Sequence, residues 1–221
     1  PSDPEVAYFS ALSGIFRIDG EEVTLLAGDG TAGMPFDVEP QFIDLVFNRA
    51  NPDIFYTGLK STSGIPEMDR RYNGFYRFDV SDPANVRYER RIDGMPSAPG
   101  EPWGHTVHSV AMDSEGALYA GTAEGEIYRS ADEGDQWTPL NHELTFTTAY
   151  QLVNAEPGAD DRIYCAANGL GVAKLYGYGD DWEPFSRVHD DAALSYVTVM
   201  GANRDSSRVF AYDRSSSSVY R

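Results

Sequence analysis

Two short tracts hold side chains able to recognise or transform a ligand. The first carries Glu67, Asp69, Arg70, Arg71 and Tyr72; the second carries Trp103 and His105, with His108 three residues further on. Together they supply carboxylates, a guanidinium pair, aromatic faces and imidazoles. Such a set suits a sugar, whose ring faces stack on Trp and Tyr while Arg and acidic groups take hydroxyls or a carboxylate. The plainer alternative is that Arg70 and Arg71 pair with surface acids and Trp103 closes its loop, because exposed ion pairs are common and individually weak. Residues three apart on a strand point to opposite faces, so His105 and His108 share no metal unless the chain bends between them. His108 alternates with Val110 and Met112, which aims it at an inner channel or packs it as a structural histidine.

The elements that must carry these tracts repeat along the chain. One hairpin strand recurs as Val6-Ala-Tyr8, Ile54-Phe-Tyr56, Ala117-Leu-Tyr119, Arg162-Ile-Tyr164 and Arg208-Val-Phe210. The aromatics Tyr8, Tyr56, Tyr119, Tyr164 and Phe210 are spaced by 48, 63, 45 and 46 residues. The following strand repeats as Ile15-Phe16-Arg17, Phe75-Tyr76-Arg77, Ile127-Tyr128-Arg129, Val172-Ala173-Lys174 and Val219-Tyr220-Arg221, each ending on a basic residue. Self-similarity at this period with several short strands per unit predicts propeller blades. A single blade cannot bury both of its faces, so neighbours must stack.

The third repeat contains Ser130, Asp132, Gly134 and Trp137 in the pattern S-x-D-x-G-x-x-W. A Ser hydroxyl and an Asp carboxylate accept hydrogen bonds from the N–H groups of their own turn. Glycine supplies a backbone angle that other residues resist, and the Trp packs over the hairpin. Here the chain resembles the Asp-box, or BNR, repeat of sialidase-like β-propellers. The resemblance implies an all-β fold of about five four-stranded antiparallel blades, with the four box residues structural. The blades fall roughly at 1–30, 42–92, 107–144, 150–190 and 195–221, in one domain over 1–221. The strand count reads three, four, four, four and three, which fits either a five-bladed ring with two thin blades or a piece of a longer propeller. The two site tracts lie in long connections, 60–73 and 93–106, which this architecture brings side by side on one rim. Long loops on a rigid scaffold are where function concentrates.

Three functions fit that resemblance. The first is a ligand- or protein-binding scaffold, similar to glycosyl-hydrolase-like proteins of this repeat type. The second is a glycoside hydrolase, sialidase-like or otherwise, acting at the loop-rich rim. The third is a protein-assembly factor similar to the photosystem assembly propellers. Sialidases use an arginine triad, but Arg17, Arg77, Arg129 and Arg221 sit in third strands, away from the channel where such a triad belongs. Other hydrolases of this type use two carboxylates across a cleft, and among 35 acidic residues no pair stands out.

Composition removes further classes. The chain of 221 residues is 41% hydrophobic and 13% aromatic, which predicts a folded domain. Its net charge is −18, with Lys60 and Lys174 the two lysines among 17 basic residues. That field repels phosphate backbones, so nucleic-acid binding is not expected. An acidic, lysine-poor surface fits a halophilic source; an ordinary acidic protein is the alternative. Cys165 is the single cysteine and reads as a small core residue. No C-x-x-C, H-E-x-x-H, G-x-S-x-G or phosphate-loop pattern occurs, so neither a cofactor nor a metal is expected. No apolar run approaches the roughly 20 residues that span a bilayer, so membrane insertion is not expected. The chain starts at Pro1 without a signal peptide, so it reads as cytoplasmic, or as exported after loss of a leader. A carbohydrate or a protein is the expected ligand.

Overall fold

Alternating apolar and polar residues between short polar turns favour strands, and the chain is built of them. The structure is a computed structural model that describes residues 3, 5–11, 14–28, 40–61, 72–95, 106–140, 148–155, 162–168, 171–176, 182–184, 196–202 and 208–220. Those residues form five antiparallel sheets. Blade 1 comprises β1 (Val6–Ala11), β2 (Gly14–Asp19) and β3 (Glu22–Gly28). Blade 2 comprises β4 (Pro40–Phe47), β5 (Ile54–Ser61), β6 (Gly74–Asp79) and β7 (Arg87–Arg90). Blade 3 comprises β8 (Val107–Met112), β9 (Leu118–Thr122), β10 (Ile127–Ser130) and β11 (Thr138–Pro139). Blade 4 comprises β12 (Ala149–Ala155), β13 (Arg162–Ala167), β14 (Gly171–Tyr176) and β15 (Trp182–Pro184). Blade 5 comprises β16 (Val197–Ala202), β17 (Val209–Asp213) and β18 (Ser218–Tyr220). Each sheet runs in sequence order, so the described strands count three, four, four, four and three. No helix among the described residues is long and apolar enough to cross a membrane.

The repeat in the sequence is a repeat in register. Tyr8 faces Arg17, Tyr56 faces Arg77, Tyr119 faces Arg129, and Tyr164 faces Lys174 across the same pair of strands in successive blades. Directly opposed side chains are the unit of sheet stabilisation. In blade 3 the pair is bonded: Arg129 Nε donates to Tyr119 Oη at 3.2 Å, with its guanidinium 5.9 Å from the ring centroid. Tyr119 Oη donates in turn to buried Asp113 at 3.1 Å. Burial pushes the Tyr119 phenol up to about 12. In blade 2 the tyrosine is held from the turn that follows its inner strand, with Asn48 Nδ2 donating to Tyr56 Oη at 2.9 Å.

The core is divided among the junctions between blades. Ile15, Ala27, Phe42, Phe55 and Phe78 close blade 1 on blade 2. Tyr56, Phe75, Val107, Val110 and Trp137 close blade 2 on blade 3. Tyr119, Ile127, Leu152, Ile163 and Cys165 close blade 3 on blade 4. Tyr164, Val172, Val197, Met200 and Ala211 close blade 4 on blade 5. Strand alternation sends Phe55 and Tyr56 to opposite junctions, as it does Ile163 and Tyr164. Each fully buried large side chain is worth roughly 1.5–3 kcal/mol of transfer free energy, so each junction rests on a handful of residues. Cys165 is wholly buried, and that burial pushes its thiol up out of the reactive range.

The turn after β10 locks the junction of blades 2 and 3. Ser130 Oγ donates to Asp132 Oδ1 at 2.7 Å and accepts from the Gly134 N–H at 2.9 Å. Asp132 Oδ1 also accepts from the Gln136 N–H at 2.9 Å, and this backbone bond is the main reason its carboxyl titrates low. Gly134 has φ of 91°, and a Cβ there would lie 2.7 Å from Phe75 Cε1. Trp137 stands edge-on to Phe75, with centroids 4.7 Å apart, and its indole N–H donates to the Arg91 carbonyl at 3.1 Å. The turn of one blade is thereby fastened to the outer strands of the blade before it.

Candidate functional site

The inner strands depart from regular pairing at one place. Between Val107–Thr122 and Ser109–Gly121 the register slips, leaving His108 as an extra residue. The same slip leaves Tyr150 extra in β12 and Thr198 extra in β16. Measured from the repeated aromatic, all three bulges occupy one position. A bulge bends its strand and re-aims the extra side chain, and such devices concentrate next to functional sites. In β4 the slip falls one step deeper, around Asp44, whose φ is 53°. Asp44 Oδ2 accepts from the Val110 N–H of the next inner strand at 3.1 Å, and burial raises its carboxyl against that bond. Gln151 Oε1 does the same for the Met200 N–H at 2.6 Å. Ser109, the counterpart of Gln151 in blade 3, is buried with no hydrogen-bond partner for its hydroxyl among the described residues.

Two of the bulged residues, His108 and Tyr150, join Tyr196 in a row of rings along one rim. The His108 imidazole meets the Tyr150 ring edge-on at 6.1 Å. Tyr150 meets Tyr196 edge-on at 5.6 Å, with the two hydroxyls 3.1 Å apart. The Arg214 guanidinium lies 5.9 Å over the Tyr196 ring. One imidazole, two phenols and one guanidinium thus cross blades 3, 4 and 5. The backbone beneath the row also repeats. Ala123 N–H donates to the Thr106 carbonyl at 2.9 Å, Asn168 N–H to that of Thr148 at 3.0 Å, and Arg214 N–H to that of Tyr196 at 2.9 Å. Asn73 Nδ2 donates to Thr106 Oγ1 at 2.8 Å, which joins the ends of the two long connections.

The row is electrically quiet. Burial, with Lys60 nearby, lowers His108 to about 4, so its imidazole is neutral near pH 7. Its hydrogen bond to Tyr196, together with burial, raises the Tyr150 phenol. Proton transfer is efficient when a group's pKa lies near the working pH, and these groups lie far from it. Neutral donors and acceptors beside a fixed guanidinium are suited to holding a ligand. No group of three or more His, Cys, Asp or Glu among the described residues is placed to hold a metal ion.

Of the residues singled out by sequence, Arg70, Arg71, Trp103 and His105 lie outside the described residues, as do Glu67 and Asp69. Tyr72 and His108 are described, and they lie apart. Tyr72 packs against the cluster between blades 1 and 2, and its carbonyl accepts from Tyr76 Oη at 2.7 Å. His108 turns toward blade 4. Its expected alternation with Val110 and Met112 fails for a physical reason: the bulge inserts His108 out of phase, so that Val107, Val110 and Met112 share one junction. Tyr150, Tyr196, Arg214 and Asp44 were not readable as site residues. A bulge leaves no composition signal, and Tyr150 stands 14 residues before Tyr164 where His108 stands 11 before Tyr119.

The other end of the junction between blades 2 and 3 holds a cleft of about 300 Å³ lined by Asn48, Arg49, Met112, Glu115, Ala131 and Glu133. Two of its polar residues, Asn48 and Glu133, fasten blade 2 to blade 3. Glu133 accepts from Asn48 Nδ2 at 3.1 Å and from Arg77 Nε at 3.2 Å, and its carbonyl accepts from Arg91 Nη1 at 3.1 Å.

A family model described as strictosidine synthase-like, N-terminal, matches residues 109–130, the stretch from β8 to the end of β10. None of the curated proteins matches the sequence. Solved structures are similar along most of the chain. The β-propeller domain of Myceliophteria thermophila Cps50 (Swd1) is 12% identical with a TM-score of 0.61, over 98% of this chain and 69% of that one. The extracellular domain of a one-component system of B. thetaiotaomicron is 16% identical with a TM-score of 0.64, over 94% of this chain and 25% of that one. YCF48 bound to D1 peptide is 15% identical with a TM-score of 0.55, over 96% of this chain and 58% of that one. The chain therefore has a β-propeller fold, and it spans about a quarter of the length of the B. thetaiotaomicron extracellular domain.

Proposed function

We infer that the chain is a non-catalytic binding propeller, resembling the Asp-box type, that holds a polypeptide segment along the rim of blades 3 to 5. The observation that carries this reading is the row His108, Tyr150, Tyr196 and Arg214, in which His108 and Tyr150 are raised by bulges at one register. Aromatic edges give contact area at low entropic cost, and Tyr hydroxyls and Arg serve backbone carbonyls or a carboxylate. The fixed protonation states favour binding over acid–base chemistry. The similarity to YCF48 bound to D1 peptide agrees with a peptide ligand. In this reading Arg70, Arg71, Trp103 and His105 would widen the surface from the long connections, while Tyr72 serves the junction of blades 1 and 2. The acidic, lysine-poor composition supports working conditions at high salt, as in a halophile.

A peptide array and a glycan array, each probed with the wild-type chain and with the Tyr150→Ala, Tyr196→Ala double variant, test the reading. Peptides captured by the wild type and lost by the variant support it. Capture of glycans alone replaces the polypeptide with a sugar, and release of sugar from a captured glycan makes the rim a hydrolase site. Peptide capture unchanged in the variant moves the site away from the row.

A further inference from the structure

One register position carries charge along the rim that holds the row of rings. Counted four residues on from the repeated aromatic, it is Lys60 in blade 2, Ala123 in blade 3, Asn168 in blade 4 and Arg214 in blade 5. The position lies where one blade meets the next. Thr148 Oγ1 of blade 4 donates to the Ala123 carbonyl of blade 3 at 3.0 Å, and Asn168 of blade 4 is bridged to Tyr196 at the start of blade 5. Two cations thus bracket two neutral residues.

Each cation sits at one end of the ring row. Gly58 packs so closely on Val107 that a Cβ there would lie 2.6 Å from Val107 Cγ1. Alternation puts Lys60 on that same face of β5, two residues nearer the rim, while Leu59 turns to the junction with blade 1. The Lys60 charge acts on His108 in opposition to the Glu124 carboxylate. At the far end the Arg214 guanidinium lies over the Tyr196 ring. Among the described residues neither cation is in an ion pair, whereas Arg17, Arg77 and Arg91 each hold a carboxylate. Lys174, the other lysine, is buried in β14.

The spacing of the row fits extended chain. Its steps from His108 to Tyr150, from Tyr150 to Tyr196 and from Tyr196 to Arg214 measure 6.1, 5.6 and 5.9 Å. Alternate side chains of an extended strand repeat at about 6.6 Å, so each step matches two residues and the row takes about six. A segment lying there meets rings along its middle and a cation at each end.

On the strength of the peptide reading above, we propose that the segment held by this rim is extended and acidic at both ends, with one side-chain carboxylate on Lys60, another on Arg214, and uncharged side chains against the rings between. Carboxylates make charge-assisted hydrogen bonds to both groups, bidentate on the guanidinium. The field of a −18 chain opposes an acidic ligand at a distance. Molar salt confines that repulsion to about 3 Å, and pairs at contact beneath a bound peptide are screened much less.

Selection from a randomised peptide display library on the wild-type chain, in molar potassium chloride, tests this. Enrichment of two Asp or Glu positions about eight residues apart is expected. The best peptide, made with both termini blocked, is then measured by fluorescence anisotropy. Replacing either acid by its amide should weaken binding about tenfold, and so should Lys60→Met or Arg214→Met. The amide and the variant that belong to the same end should together cost no more than either alone, which assigns each carboxylate to its cation. The amide arm alters the peptide alone, so it reads out even if a variant fails to fold. Enriched peptides that lack the paired acids overturn the proposal; if the Tyr150→Ala, Tyr196→Ala variant loses them, the peptide reading stands without it. Amides that bind as well as the acids overturn it too, as does oligothymidylate bound more tightly than any peptide. Capture of no peptide removes this proposal and the peptide reading together.

Discussion

The junction between blades 2 and 3 and that between blades 4 and 5 share one register and are closed by different means. The first is filled by aromatic volume: Tyr56, Phe75, Tyr128 and Trp137, with the turn at Ser130–Trp137 reaching back over it. The second is filled by Tyr164 and by small residues, Ala166, Val172 and Ala211. Its inner strands are tied by Gln151, and its rim carries Tyr150 and Tyr196. Where the turn and its tryptophan secure a junction from outside, the polar groups there serve structure. At the other junction the described rim carries half-buried rings and hydroxyls able to meet a ligand.

Substitutions can sharpen or break this contrast. The largest effect is expected from Trp137→Ala, which removes a buried ring from the Phe75 contact and a donor from the Arg91 carbonyl. A loss of about 3–5 kcal/mol by urea denaturation fits such a deletion; a loss no greater than that of Val172→Ala would erase the contrast. Gly134→Ala forces a left-handed φ and a Cβ at 2.7 Å from Phe75, and should cost about 1–3 kcal/mol. Gln151→Ala leaves the Met200 N–H without its acceptor inside the other junction, for about 1–2 kcal/mol, and should also weaken capture at the neighbouring rim. Ser130→Ala should cost a comparable amount while leaving capture untouched. A variant of each kind that affects both properties equally would show that the two junctions act as one.

A further effect concerns pH. The folded His108 titrates near 4, below its unfolded value of 6.5, so the unfolded chain binds the proton first as pH falls. Stability should decline from about pH 6.5 down to about 4 and show no further loss from this group below that. The slope of melting temperature against pH in that window should be shallower in His108→Gln than in the wild type, since the carboxylates titrate alike in both. Lys60 and Glu124 act on His108 in opposite directions, so Lys60→Met should raise the lower limit of the window slightly.

Most of the fold was legible because its signal is local. The Tyr-then-Arg spacing is the cross-strand pair itself, and the strand counts follow from hairpin lengths. The signature of the Ser130–Trp137 turn is equally local: the hydrogen bonds of the Ser130 and Asp132 side chains within it span no more than four residues. The rim was less legible because it depends on register. One extra residue in β8 re-aims His108 and breaks its alternation with Val110. The differing turn between the first two strands of blades 3 and 4 hides that Tyr150 is its counterpart. Asp44 reads as an ordinary strand acid until its backbone angle and its bond to Val110 are seen.

Cys165 turns the junction of blades 3 and 4 into its own stopwatch. Its sulfur is sealed between two sheets and is the one thiol of the chain, so an alkylating reagent reacts with it only when those sheets part. The rate of modification then times the opening of the middle of the propeller, with no label added and no competing cysteine to subtract.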